Sequence, residues 1–301
     1  MEGKAVLFKT LGNVDAIPLC IKTQKTEEIV KLVLLLQNSF SGVNLEDISA
    51  PRCFEVENLL KEKSNIIIFH DDQHGTAIVV LAALLNALHV VKKKIEDVKV
   101  VFSGAGAAAQ AVCRLFLQAG FENIIMSDID GAVHKGRPNN DKYLEDIATL
   151  TNKNCEQGKL KDIIKNADVF VGLSAPNVLT ADMIKSMNDK SIIFALANPN
   201  PEINPEEAKK AGAYIVATGR SDFDNQVNNS LAFPGLFKGA LDNNCQQITD
   251  EMKLCCAMSI ASLISDDDLS PSKIIPDPLD FNVPNIICEN ISKIVNDKTK
   301  V

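Results

Sequence analysis

The chain has 301 residues, 46% of them hydrophobic and 23% charged, which places it among globular proteins with apolar content for one large or two medium cores. A formal net charge of -8 repels polyanions at long range, so nucleic acid and anionic membrane surfaces are excluded as expected partners. Its 8 cysteines form no CxxC pair and no zinc or disulfide spacing, which points to a reducing compartment.

The opening MEGKAVLFK has no basic leader and no apolar run before a cleavage site, so neither a secretory signal nor a transit peptide is expected. The expected location is the cytoplasm, with an organelle left open. The apolar run Lys4–Lys9 reads as a strand, Glu27–Leu36 as a helix and Ile66–Phe69 as a second strand. Two acidic pairs punctuate this region: Glu46-Asp47 in NLEDI and Asp71-Asp72 in FHDDQHGTA. Adjacent carboxylates near an apolar strand end repel one another unless a cation neutralises them, so the pairs suit Mg²⁺ or Mn²⁺, although a solvated turn presents the same pattern. The absence of a Cys or His cluster argues against zinc. His70 and His74 flank the second pair and are read as surface or outer groups, since magnesium-like ions prefer oxygen. The run from Ala77 to Val91 is interrupted by Asn86 and His89; it is short for a membrane span and is expected as a buried helix, with Lys92-Lys93-Lys94 as its solvated end.

From Lys99 onward, short Val, Ile and Ala runs alternate with amphipathic stretches. Strands are expected at Lys99–Ser103, Asn123–Ser127, Asp168–Leu173, Ser191–Ala195 and Tyr214–Thr218. Helices are expected near Ala107–Ala119, Leu144–Thr149, Leu160–Asn166, Thr180–Ser186 and Pro205–Ala211, and then at Ala232–Ala240, Thr249–Ile264 and Val283–Ile294. The fold class is α/β: a Rossmann-type doubly wound parallel sheet, residues 73–229, inserted in a smaller discontinuous α/β domain of residues 1–72 plus 230–301.

Ser103-Gly104-Ala105-Gly106-Ala107-Ala108-Ala109 follows an expected strand and opens an expected helix, and Asp128 ends the next strand. In that context Gly104 permits a tight turn and Gly106 close approach to a pyrophosphate, while Ala107 starts the helix whose free N–H groups receive it. Ala109 is small enough for helix and strand to pack closely. Asp128 is placed to accept from the ribose hydroxyls, which favours NAD, and Asp130 adds negative charge against a 2′-phosphate. Lys135 and Arg137 are near enough in sequence to offset that charge, so NADP stays possible.

The strings MEGKAVLFK, NLEDI, FHDDQHGTAIVVLAALLNAL, VFSGAGAAA, FALANPNPEI, ATGRSDFDNQVNNSLAFPG and ITDEMKLC, in this order, resemble the consecutive signature segments of malic enzymes of the short bacterial and protist type. The resemblance implies oxidative decarboxylation of (S)-malate to pyruvate and CO₂ with reduction of NAD(P) and a divalent metal. It implies that Glu46, Asp47 and Asp72 are metal ligands, that Lys4 is the catalytic lysine and that Asp71 positions it. It also implies that Asn198 and Asn229 hold the substrate and the nicotinamide end of the cofactor. The bland readings are Lys4 as a strand-edge solubiliser and the two asparagines as turn formers. The family's upstream portion, with an acid tyrosine and dimer-forming helices, has no counterpart before Met1, and only Tyr143 and Tyr214 occur. The expectation is therefore an N-terminally truncated catalytic domain, a homodimer if that portion is not essential to it, and, as the alternative, a non-catalytic dinucleotide- and metal-binding paralogue that associates with a full-length enzyme.

Overall fold

The computed structural model describes residues 1–298; residues 299–301, the end of the portion expected at 230–301, lie outside the described residues. The chain starts with helix α1 (Glu2–Gly12), not with the strand expected over Lys4–Lys9. A short apolar run is ambiguous by pattern alone, and packing decides it. In a strand Val6 and Phe8 would share one face. Here Phe8 is buried with Leu11, at helical spacing, while Val6 is 61% exposed. Helix α2 (Thr26–Leu36) buries Ile29, Val30 and Val33. Strand β1 (Gly42–Leu45) and helix α3 (Arg52–Lys63) were not expected. The inward face of α3, Cys53, Val56, Glu57 and Leu60, keeps the i, i+3, i+4, i+7 spacing, but a glutamate among those positions disguises it.

Strand β2 (Ile67–His70) pairs in parallel with β1, with Leu45 opposite His70. The register has a direct consequence: Glu46 and Asp71, and after them Asp47 and Asp72, leave the ends of two adjacent strands together. One π-turn, Asp71–Gly75, then leads into helix α4 (Thr76–Val91). Residues Asp71–Val91 are long and apolar enough to cross a bilayer by length and composition, yet most of this stretch is buried in protein, as expected of a core helix. Lys92, at φ 59°, follows its end, and Lys92 and Lys94 are exposed. Lys93 departs from the solvated reading, because it pairs with Asp168 at 2.7 Å.

The next elements alternate: β3 (Lys99–Ser103), α5 (Ala107–Gln118), β4 (Asn123–Asp128), β5 (Gly131–Ala132), α6 (Lys142–Leu150), α7 (Leu160–Ile163), β6 (Val169–Gly172), α8 (Ala181–Lys185), β7 (Ile192–Ala195), α9 (Pro205–Ala211) and β8 (Ile215–Thr218). Their sheet has the order β5-β4-β3-β6-β7-β8, parallel throughout except for β5. The chain leaves β3 for β4 on one side and returns to β6 on the other, which is the doubly wound arrangement with its switch point between β3 and β6. Strands β6, β7 and β8 are buried at every position, as strands covered on both faces must be. Helices α10 (Phe233–Asp242), α11 (Asp250–Ala261) and α12 (Asn282–Lys298) complete the described chain.

The chain divides into two compact units, one of Met1–Val79, Asn228–Leu263 and the part from Asp277 onward, the other of Val80–Val227 and Ile264–Pro276. The segment Ile264–Pro276, grouped by sequence with the flanking domain, falls instead with the sheet. The reason is Asn225, whose side chain donates to Pro271 O at 2.8 Å and accepts from Ile274 N at 3.0 Å, with Asn86 donating to Ile274 O at 3.0 Å. Within the first unit, Ile29, Val30, Val33, Leu45, Val56, Leu60 and Ile68 form one core cluster beneath β1 and β2.

Helix α10 approaches α12 through Gly235 and Gly239. A β-carbon at Gly235 would stand 2.7 Å from Pro284 Cα and 2.9 Å from Ile287 Cβ, and one at Gly239 would stand 3.0 Å from Ile291 Cδ1. Alanine is the better helix former by about 1 kcal/mol, but overpacking against backbone costs about 1–3 kcal/mol, and the clash should win. Gly235→Ala is therefore predicted to lower the thermal midpoint; a midpoint at or above that of the unaltered chain would contradict the close approach.

Candidate active site

The pairing of β1 with β2 delivers both acidic pairs to one corner, and α1 adds a cation to it. Lys4 Nζ donates to Glu46 Oε1 at 2.7 Å and Oε2 at 2.6 Å, and to Asp71 Oδ2. Asp71 is fully buried, and it also accepts from Asn229 Nδ2. Asn229 opens the short 3₁₀ turn Asn229–Leu231 that precedes α10. The ring of Phe233 lies under the ammonium, 5.0 Å from its centroid. A β-carbon at Gly75 would overlap the Asp71 carboxylate, so the π-turn needs a glycine there to leave room for the acid.

Burial works against the Lys4 ammonium, but Asp71 and Glu46 outweigh it and hold its pKa above the ordinary lysine value. This differs from an isolated desolvated lysine, whose pKa would fall. Burial pushes Asp71 up to about 7, with Lys4 pulling the other way. Glu46 is raised by burial too, despite Lys4, and the neighbouring Asp72 carboxylate adds to the rise.

Glu46 and Asp71 thus meet on Lys4, and Asp72 adjoins Glu46. Asp47 is exposed, at φ 56°, and joins the corner through its backbone N–H, which donates to Asp72 Oδ2 at 2.8 Å. Among the described residues no group of three or more His, Cys, Asp or Glu side chains is already gathered as a coordination shell. The donor chemistry nevertheless suits a hard cation: carboxylates of both pairs adjoin, and two buried oxygens, Asp71 Oδ1 and Asn44 Oδ1, have no hydrogen-bond partner.

His70 and His74 are not surface groups. His70 is 1% exposed, with Nδ1 4.0 Å from Asp72 Oδ2, and burial lowers its pKa. His74 Nε2 meets Glu57 Oε1 at 2.6 Å, Gln73 Nε2 donates to Glu57 Oε2 at 3.3 Å, and Lys61 Nζ lies 2.5 Å from Glu57 Oε1. The buried Glu57 of α3 therefore ties down the turn that carries Asp71 and Asp72. Sequence reading missed it; the i, i+3, i+4, i+7 row on α3 was the available signal.

In the second unit the glycine-rich turn follows β3. Gly104, at φ 109°, donates to Ser127 O at 2.8 Å, and a β-carbon there would overlap Leu173 O, so the tight turn requires glycine. Gly106 is the N-cap of α5, and a β-carbon on it would meet nothing within 4 Å. Ala107 begins the helix and Ala109 is buried, 1% exposed. Asp128 ends β4 and is already engaged: Arg137 Nη1 donates to Oδ1 at 2.8 Å and Nη2 to Oδ2 at 2.5 Å. Burial alone would raise the Asp128 pKa, but this bidentate pairing lowers it. Arg137 has turned inward as the sequence allowed, while Lys135 stays exposed. Asn198 lies in the loop after β7. Two residues around that loop escaped sequence reading, Ser174 and the fully buried Glu202.

Comparison with known proteins gives a consistent picture. The family model for the malic enzyme NAD binding domain matches residues 73–283. The bifunctional malic/malolactic enzyme of Bacillus subtilis is 51% identical over 294 residues, covering 97% of this chain and 72% of that protein. The NAD-dependent malic enzyme of Geobacillus stearothermophilus is 52% identical, covering 92% of this chain and 58% of its own length. Among solved structures, the NAD-dependent malic enzyme of Thermotoga maritima superposes with a TM-score of 0.92 at 45% identity, covering 97% of this chain and 77% of that one. The malic enzyme of Entamoeba histolytica gives 0.95 at 40% identity, covering 99% and 64%.

The Glu57–His74 pair has a testable consequence. Burial holds His74 at about 4 against an ordinary 6.5, so on acidification the unfolded chain takes up this proton first. Its contribution to stability is complete above 6.5 and is lost as pH falls toward 4. The thermal midpoint is predicted to drop between pH 7 and pH 4.5, and His74→Gln to make that drop shallower; an equal slope in the variant would contradict a buried neutral histidine.

Proposed function

This chain belongs to the malic enzyme family, and from that membership we propose that it oxidises and decarboxylates (S)-malate to pyruvate and CO₂, reduces NAD in preference to NADP, and needs Mg²⁺ or Mn²⁺. The observation that carries the reading is the half-buried contact of Lys4 with Glu46 and the buried Asp71, beside the paired acids of β1 and β2. On this reading the first unit is the metal and substrate domain and the second the dinucleotide domain.

Glu46, Asp47 and Asp72 would hold the divalent ion. When bound, it supplies positive charge to malate oxygens, first at the hydroxyl and then where negative charge develops as CO₂ departs. The nicotinamide, when bound, accepts hydride from C2 of malate. Lys4 is the base for the C2 hydroxyl proton. Burial already works against its charge, so any weakening of the carboxylate contacts that raise its pKa would move the amine toward the range where it accepts a proton. Asp71 then receives the new ammonium in the contact it already makes, and Asn229 keeps the Asp71 carboxylate oriented. Asn198 and Asn229 are assigned to the substrate and nicotinamide end.

For the dinucleotide, Gly104, Gly106, Ala107 and Ala109 form the pyrophosphate turn and Asp128 receives the adenosine ribose. Asp128 Oδ1 already accepts from Arg137 and from the Asp130 N–H, so the acceptor capacity left for the ribose is on Oδ2, which takes one bond from Arg137. Asp130 remains, two residues on, as a second negative charge against a 2′-phosphate.

Purified chain should convert malate to pyruvate with Mn²⁺ and show a higher kcat/KM with NAD than with NADP; the reverse order would overturn the NAD assignment. Asp72→Ala should remove metal-dependent turnover by at least about 100-fold, while NADH affinity stays within a few fold. Undiminished turnover in that variant would remove the metal assignment.

A further inference from the structure

Glu202 is a carboxylate with no exposed surface, and its hydrogen-bond partners are neutral. Oε1 accepts from Ser174 N at 2.9 Å and from Ser174 Oγ at 3.4 Å, and Oε2 accepts from Ala197 N at 3.0 Å. No ion pair to it occurs among the described residues. Burial raises its pKa, with the Ala197 and Ser174 backbone donors pulling the other way. For the fold alone, a buried carboxylate without a cation is a costly way to fasten two loops.

Its place in the sheet supplies a reason. Ser103 pairs with Gly172 across β3 and β6, and Gly172 with Ala195 across β6 and β7, so the three strands finish level. Ser174 and Ala197 each lie two residues beyond those ends. One carboxylate bridges them, and Ser174 Oγ continues to Ser103 Oγ at 2.9 Å, across the switch point and into the glycine-rich turn. Gly172 makes room for the bridge, because a β-carbon there would stand 2.7 Å from Glu202 Cγ. In a doubly wound sheet the ligand crosses the carboxyl ends at the switch point. With adenosine at Asp128 on the β4 side and pyrophosphate at the glycine turn, the β6 and β7 ends are left for the nicotinamide half.

We propose that Glu202 is a positioning residue for the nicotinamide half of the cofactor, holding Ser174 and Ala197, and with them the turn that bears Asn198, in the form the ring meets. This rests on the dinucleotide reading given above. It differs from a merely structural role in being one-sided: the adenosine half should not depend on it.

The test is binding of NADH and of ADP-ribose to the full chain, by calorimetry, for unaltered protein, Glu202→Gln and Ser174→Ala. Glu202→Gln sets an amide donor against a backbone donor, and NADH should bind about tenfold more weakly while ADP-ribose stays within about twofold. Ser174→Ala keeps the backbone bond and loses the hydroxyl links, so it should move the same ratio by about threefold and serves as the folded variant if Glu202→Gln does not fold. Equal weakening of both ligands, or no change in either, would overturn the proposal. Failure of the unaltered chain to bind NADH would overturn the dinucleotide reading, and this proposal with it.

Discussion

The buried Asp71 carboxylate and the ammonium set against it are the constraint that the catalytic corner answers to. An ion taken out of water costs several kcal/mol even after relaxation, so Asp71 without Lys4 and Asn229 would not hold a charge in this position. The surrounding sequence follows from that cost. Gly75 leaves the carboxylate its space, α1 is a helix whose buried edge turns Lys4 inward over Phe233, and the parallel register of β1 with β2 brings Glu46 up beside Asp71. The result is a cluster rich in carboxylates and short of cations, in which one lysine offsets charge that a divalent ion would otherwise take.

Around it the turn is tied to the neighbouring helix α3. Glu57 accepts from Gln73 and meets His74 and Lys61, so the residues immediately after Asp71 and Asp72 are anchored to α3. The second unit follows the same device in another setting. Glu202 anchors Ser174 and Ala197 at the ends of β6 and β7, and Asn225 fastens the returning segment Ile264–Pro276. In each case a buried polar side chain satisfies backbone or side-chain groups of a loop, and the loop gains a fixed shape where chemistry needs one.

Much of this was legible in the sequence, and the exceptions have physical causes. The parallel strands from Lys99 to Thr218 stood out because strands buried on both faces are written as unbroken apolar runs between turn residues. The glycine turn was legible because Gly104 is compelled by the approach of Leu173 O, a demand that only one residue type meets. Lys4–Lys9 misled because its four consecutive apolar or small residues, Ala5 to Phe8, carry no period, and the choice between strand and helix was made by packing against α10. Helix α3 was hidden because its inward row contains a charged residue whose partners, His74 and Lys61, are apparent only in three dimensions. The Asp128–Arg137 pair was half visible, as proximity without geometry. Glu202 gave no local signal, since its partners at hydrogen-bond distances of 2.9 and 3.0 Å are the backbone N–H groups of Ser174 and Ala197, and backbone donors look alike in every sequence.

The central claim is that Lys4 acts on malate and is not only a counter-charge for Asp71. The most direct measurement is turnover of malate by Lys4→Met with NAD and Mn²⁺, alongside NADH affinity in the same preparation. If Lys4 is the base, kcat should fall by about 100-fold or more while NADH binds as before. Turnover within a few fold of the unaltered chain would contradict the account.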